Sequence, residues 1–374
     1  MPTSAEGLER PAEATGGFLA RLGLSRPELR AWAMYDWATS AMQTVIMTAV
    51  FPIYFVSVAG AGLPPERATQ QLSLVNSIAL TLIAVASPIL GAISDLAGNK
   101  KALLAGFMIA GVLATGGMYW IQRGDLGLAS ALFIVSMIGA TGSFVFYESL
   151  LPHVAHADEI DRVSTAGFAL GYIGGGLLLA LNLAWIQKPA LFGLPSGEGL
   201  SPSAATLPAR LAFVSVAVWW ALFSIPLFRR VPEPPRKREA DEPRAGHAVL
   251  GAFTRLGETF RELRGFRHAF IFLLAFLIYN DGIQTIIKMA TAYGTEIGIG
   301  AGALIAAILI VQFVGVPFAL LFGLLAGRIG AKRSIFLGLL VYGGISVLGF
   351  YMRTAAHFYL LAILVGMVQG GTQA

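Results

Sequence analysis

Cysteine is absent from the 374 residues. Disulfide frameworks, thiolate nucleophiles and cysteine-ligated metal centres are thereby excluded. Charge is nearly as scarce. Asp, Glu, Lys and Arg make up 13% of the chain, about half their usual share in a soluble domain. Histidine occurs five times. No H-E-x-x-H, G-x-S-x-G, Walker loop or strand-borne dinucleotide fingerprint is present, so the common hydrolase, metalloprotease and nucleotide-binding classes find no support. Met1 to Arg30 is polar and mixed in charge, without the apolar stretch of a secretory leader. It reads as a cytoplasmic tail, with the first spanning helix as the insertion signal.

What is abundant is apolar sequence, 56% of the chain. A bilayer-spanning helix needs about 20 mostly apolar residues. Ten runs qualify, near 32–57, 72–94, 102–122, 127–148, 165–187, 209–228, 268–290, 299–326, 334–352 and 356–374. They are too long, and lack the alternation, for barrel strands. The chain therefore reads as an all-α polytopic membrane protein. With the N-terminus placed inside, twenty of the 26 Lys and Arg residues fall on the inner side. That bias predicts a cytoplasmic N-terminus in a cell (inner) membrane. It also accounts for the net charge of +5 without any nucleic-acid partner.

The stretch 229–267 is rich in Pro and in basic residues. Such composition does not build a core, so it reads as a cytoplasmic linker, with an amphipathic helix expected near 250–263. It divides the chain into a tail (1–30), a six-helix bundle (31–228), the linker, and a second bundle (268–374) of four helices. A short pattern recurs across this divide. Gly91, Asp95, Gly98, Lys100 and Lys101 follow the second span, and Gly323, Arg328, Gly330, Lys332 and Arg333 follow the eighth. Glycine permits a tight hairpin there and the cations hold the inner face.

The loop Gly-x-x-x-Asp-x-x-Gly-x-Lys-Lys resembles the signature of the major facilitator superfamily. Leu96 stands where that pattern has Arg, and Gly327 replaces the acid in the second copy. Three further segments are more particular: Trp32-Ala33-Met34-Tyr35-Asp36-Trp37, Phe146-Tyr147-Glu148-Ser149-Leu150-Leu151-Pro152, and Gly167-Phe168-Ala169-Leu170-Gly171-Tyr172. With Tyr279-Asn280-Asp281-Gly282 they resemble the vacuole-effluxer family of facilitators, whose fungal members release amino acids from the vacuole. The resemblance implies a two-bundle fold of twelve helices, of which about ten are present, and a chain cut short at its C-terminus. It also implies a conformational role for the two glycine-and-cation loops.

Ionisable groups at membrane depth are functional candidates. Asp281 lies about 13 residues into the seventh run, roughly 20 Å at the helical rise. Asn280, Gln284, Thr285 and Lys288 accompany it. They read either as a stripe on a central cavity, binding protons or a solute, or as a polar patch satisfied by neighbouring helices. Asp36 in the first run is either a second cavity carboxylate or an interfacial cap, and Gln43 follows it at i+7. Gly167, Gly171 and Gly175 recur on one helical face and suit close helix packing. The string His153-x-x-His156-x-Asp158-Glu159-x-Asp161 reads as a solvated acidic loop, not a metal site.

The expected function is secondary active transport of a small polar solute, amino acids first, by alternating access with proton-coupled efflux. No enzyme activity, cofactor or metal is expected, and a monomer is. The alternative is a transporter-like receptor or scaffold without flux.

Overall fold

A computed structural model describes residues 22–97, 99–156, 159–234 and 265–373, with Leu19 and Arg261. Most of the tail and of the 229–267 linker, the amphipathic segment near 250–263, Gly98 and Asp158 lie outside the described residues. The described chain is almost wholly helical. Ten long helices follow one another: α1 Pro27–Ala59, α2 Pro65–Ala97, α3 Lys100–Gly117, α4 Leu126–Glu148, α5 Ile160–Gln187, α6 Pro202–Arg230, α7 Arg267–Glu296, α8 Ala301–Ile329, α9 Ala331–Phe350 and α10 Ala355–Gln373. Nine are long and apolar enough to cross a bilayer; in α10 the apolar stretch Ala355–Gln369 is shorter. Several helices outrun their apolar sequence. In α2 the first turn carries the exposed Glu66 and Arg67, ahead of the apolar run.

The six early helices pack as one set. α1 lies on α5 and α6, α3 on α4 and α6, and α2 on α4. Six helices further on, α8 packs on α10 and α9 on α10, so the α2–α4 and α3–α4 pairings recur. The α3–α4 contact rests on small residues. A Cβ at Gly139 would stand 2.7 Å from the Phe107 carbonyl oxygen. Beside it the hydroxyls of Thr115 and Ser136 meet at 2.6 Å, fully buried. Small residues and paired hydroxyls bring helices together where lipid supplies no hydrophobic drive.

Helix α7 differs from the rest. Ile271 to Ile278 are exposed, and its buried residues are Ile283, Thr291, Ala292 and Gly294. It therefore holds to the bundle by its second half, against α1 and α2.

One cation of the first glycine loop has a definite structural task. The Lys101 ammonium donates to the carbonyls of Phe228 at 2.9 Å and Val231 at 2.7 Å. These are the unsatisfied acceptors at the end of α6, where a positive charge also meets the negative pole of the helix. In return the Lys101 amide, at the start of α3, donates to the Glu233 carboxylate. Lys101→Met is expected to lower stability by about 1–2 kcal/mol, read as a lower unfolding temperature in detergent. An unchanged temperature would show that the cap contributes nothing.

Candidate functional site

The three sequence segments that carry the family resemblance meet at one place. Trp32 on α1 stacks on Tyr147 of α4, ring centroids 4.4 Å apart, and its indole N–H donates to the Tyr147 carbonyl at 3.2 Å. Tyr35 lies 4.9 Å from the same ring. Helix α5 closes the group with its glycines. A Cβ at Gly171 would lie 2.9 Å from Asp36 Oδ1, and one at Gly175 would lie 2.7 Å from Thr44 Oγ1. Gly167 faces Trp32 in the same way. The three glycines form the groove into which α1 is pressed.

Asp36 ends up in this contact at 3% exposure. Its Oδ1 accepts a hydrogen bond from Ser40 at 3.1 Å, one turn on. Glu148 at the end of α4 is close enough to act on it electrostatically, and Glu148 Oε1 is itself buried without a hydrogen-bond partner. Burying a carboxylate without a cation is costly, so this placement calls for a use.

Asp36 opens on a cavity of about 770 Å³ lined by α1, α4 and α5 on one side and by α7, α8, α9 and α10 on the other. Among the described residues, its polar lining besides Asp36 is neutral. Five carboxamides reach it, from Gln43, Asn280, Gln284, Gln312 and Gln369, with hydroxyls from Ser40, Thr44, Thr48, Thr285 and Ser346. Phe144, Phe168, Tyr172 and Phe276 supply aromatic faces.

The middle of α1 is not a regular helix. Met42–Ala49 and Phe55–Ala59 are wound in wide π turns, a feature often found at functional positions. Pro52 lies between them and has no N–H to offer the Thr48 carbonyl, four residues back. The Thr291 hydroxyl of α7 donates to that carbonyl at 2.5 Å. Gln312 of α8 donates to the Thr44 hydroxyl at 3.2 Å. These two bonds tie the early helices to the late ones along the cavity wall.

Of the residues singled out in the sequence, the structure brings Asp36, Gln43, Asn280 and Gln284 together on the cavity. Asp281 is exposed and Lys288 is half-buried, and neither lines it. Phe276, Asn280 and Gln284 follow one another at i+4 and share a face; Asp281 is one residue ahead, about 100° around the helix. Lys101 caps α6. Gly91 lies inside the last two turns of α2, and Gly330 precedes α9 with φ +88°. Glu159, from the acidic string, pairs with Arg26 and accepts the His156 amide.

Gln312 and Thr291 were not visible as site residues. Gln312 had a signal: it is the only polar side chain between Ala301 and Ala326.

Solved transporters share the fold. The chain superposes on the xylose transporter XylE from E. coli, in a partially occluded inward-open form, with TM-score 0.63 at 15% identity, covering 93% of this chain and 85% of that one. The nucleoside transporter NupG gives TM-score 0.63 at 14% identity, covering 92% and 80%. The fold is thus that of the major facilitator transporters.

Sequence narrows the class. Residues 68–374 match the family described as "Vacuole effluxer Atg22 like". An uncharacterized MFS-type transporter of Bacillus subtilis (strain 168), YxiO, is 37% identical over 344 residues, covering 92% of this chain and 78% of the relative. Autophagy-related protein 22 of Yarrowia lipolytica is 25% identical over 236 residues, 56% of this chain and 38% of the relative. The chain belongs to the vacuole-effluxer Atg22-like family, and it spans less than half the length of that fungal relative.

The groove on α5 gives a direct test of the site. Gly171→Val drives a side chain into Asp36 and Ser40, an overpacking worth about 1–3 kcal/mol. We expect a lower unfolding temperature, while Gly343→Val, with nothing within 4 Å of its Cβ, leaves the temperature unchanged. Equal behaviour of the two variants would refute the close contact of α1 with α5.

Proposed function

We propose that the chain is a secondary active transporter that moves a small polar solute by alternating access, coupled to protons held at Asp36. The observation that carries this reading is a buried carboxylate on a cavity lined by both sets of helices. Sites at the meeting of two helical repeats serve repeat-built transporters in this way. A carboxylate with no counter-cation beside it among the described residues can alternate between protonated and solute-bound states as access changes. The volume is of the size that holds small ligands, about 300–1,000 Å³.

Amino acids are the first solutes to try. The family description names an effluxer, and Asp36 suits an amino group. The distribution of basic residues supports a cytoplasmic N-terminus, and a bacterial relative supports the cell membrane. The Thr291–Thr48 bond then lies toward the outer face. Opening that face requires breaking it.

Two predictions follow from the geometry. In liposomes loaded with mixed amino acids, a pH jump is expected to drive release that Asp36→Asn abolishes. Asp281→Asn, altered off the cavity, should retain most of it. Release by Asp36→Asn at the wild-type rate would sink the coupling role. The second concerns Thr291. Removing one interhelical hydrogen bond shifts a two-state balance by about 0.5–1.5 kcal/mol, roughly two- to tenfold. The chain has no cysteine, so a reporter thiol at Thr285→Cys stands alone. Adding Thr291→Val should speed its labelling by an impermeant maleimide from the outer face. Slower or unaltered labelling would mean that the bond does not hold that face closed.

A further inference from the structure

Two hydrogen bonds join the early helices to the late ones along α1. Their acceptors, on Thr44 and Thr48, lie four residues apart and so on one face. The two bonds differ in what can reach them. Thr291 is fully buried and does not line the cavity, so the Thr291–Thr48 bond has its donor behind the wall. In the other bond both partners, Thr44 and Gln312, are wall residues.

Gln312 stands where three helices meet. It belongs to α8 and donates to Thr44 of α1. Its side chain also lies against α5, where a Cβ at Gly176 would stand 3.5 Å from that of Gln312. Thr44 is seated on the same helix, at Gly175. At 8% exposure, little of the Gln312 side chain is open, so a solute that takes its amide displaces Thr44. The bond to be displaced is a weak one of its kind. It joins two neutral groups at 3.2 Å, the long end of the range for N–H donors. An oxygen that carries charge, as on a carboxylate, accepts a shorter and stronger bond.

We propose that Gln312 is a solute-contact residue that doubles as a latch: an oxygen of the solute takes its N–H from Thr44 and thereby releases α8 from α1. The inference rests on the reading of the cavity as a transport path, and adds the side chain that turns occupancy into a change of packing. One N–H···O bond breaks and another forms, and no proton leaves the amide. The Thr291–Thr48 bond, out of the solute's reach, is left in place. Solute binding and the freeing of α8 from α1 are one event at this amide.

The test uses the full chain in liposomes loaded with an equimolar mixture of the twenty amino acids at a series of concentrations. The quantity read is the load that gives half-maximal release after a fixed pH jump. Thr44→Val keeps the shape of the side chain and removes the acceptor, so the solute no longer competes for the amide. It should lower the half-saturating load roughly two- to tenfold, the effect of one hydrogen bond. Gln312→Met removes the bond to the solute and should raise that load by a similar factor. A plain tie between helices would move both variants the same way. Shifts of the same sign, no shift, or shifts of the reverse sign would overturn the proposal. If Gln312→Met does not fold, the direction of the Thr44→Val shift decides. No release from correctly inserted wild-type protein overturns the transport reading, and the latch with it. Release with shifts of one sign defeats the latch alone.

Discussion

The contact between α1 and α5 is the constraint on which the site depends. In lipid, apolar side chains gain little by leaving one apolar surface for another, so helices associate through close fit and hydrogen bonds. Four small positions on α5, Gly167, Gly171, Gly174 and Gly175, remove the side chains that would hold α1 away. The first helix then lies close enough for Asp36 and Thr44 to meet the α5 backbone. Trp32 and Tyr147 complete the seat on the α4 side. Asp36 is therefore buried by geometry that backbone proximity imposes, not by a partner chosen to neutralise it. The unusual electrostatics of the cavity originate in that packing.

The helices were legible because length and hydropathy are properties of a run of residues. The recurrence of the glycine-and-cation loops was legible for the same reason. Direction around a helix axis is harder. Asp281 and Asn280 are at nearly the same depth in α7, yet Asn280 lines the cavity and Asp281 does not. Depth can be counted from the end of an apolar run, but the face a residue presents depends on which neighbours cover the helix. Asp36 illustrates the converse. Its place near the start of α1 suggested an interfacial cap, and only the groove of α5 makes it a buried cavity group. Gln312 was readable, being a lone amide in an apolar helix, where burying a polar group asks for a partner. Thr291 was not, because its acceptor is a backbone carbonyl of another helix.

The glycine-and-cation loop shows how a motif can carry a local structural task besides any conformational one. Lys101 serves the end of α6 while its own amide is met by Glu233. The two helix termini are thus held in register by reciprocal contacts. Motion of the early helices at this end will tend to carry α3 and α6 together, as a rigid pair. The second copy of the loop starts α9 at Gly330, whose φ of +88° favours glycine.

The bond from Thr291 to the Thr48 carbonyl has a consequence for how the protein can drift in sequence. The acceptor belongs to the main chain, so this contact is indifferent to the side chain at position 48. The proline that withholds an N–H from this carbonyl and the hydroxyl that reaches it lie 239 positions apart, at 52 and 291. Replacing Pro52 by a residue with an N–H would offer the carbonyl a rival donor within its own helix. A change at 291 would take away the donor that α7 supplies. The side chain at 48 can change without loosening this tie between the two sets of helices.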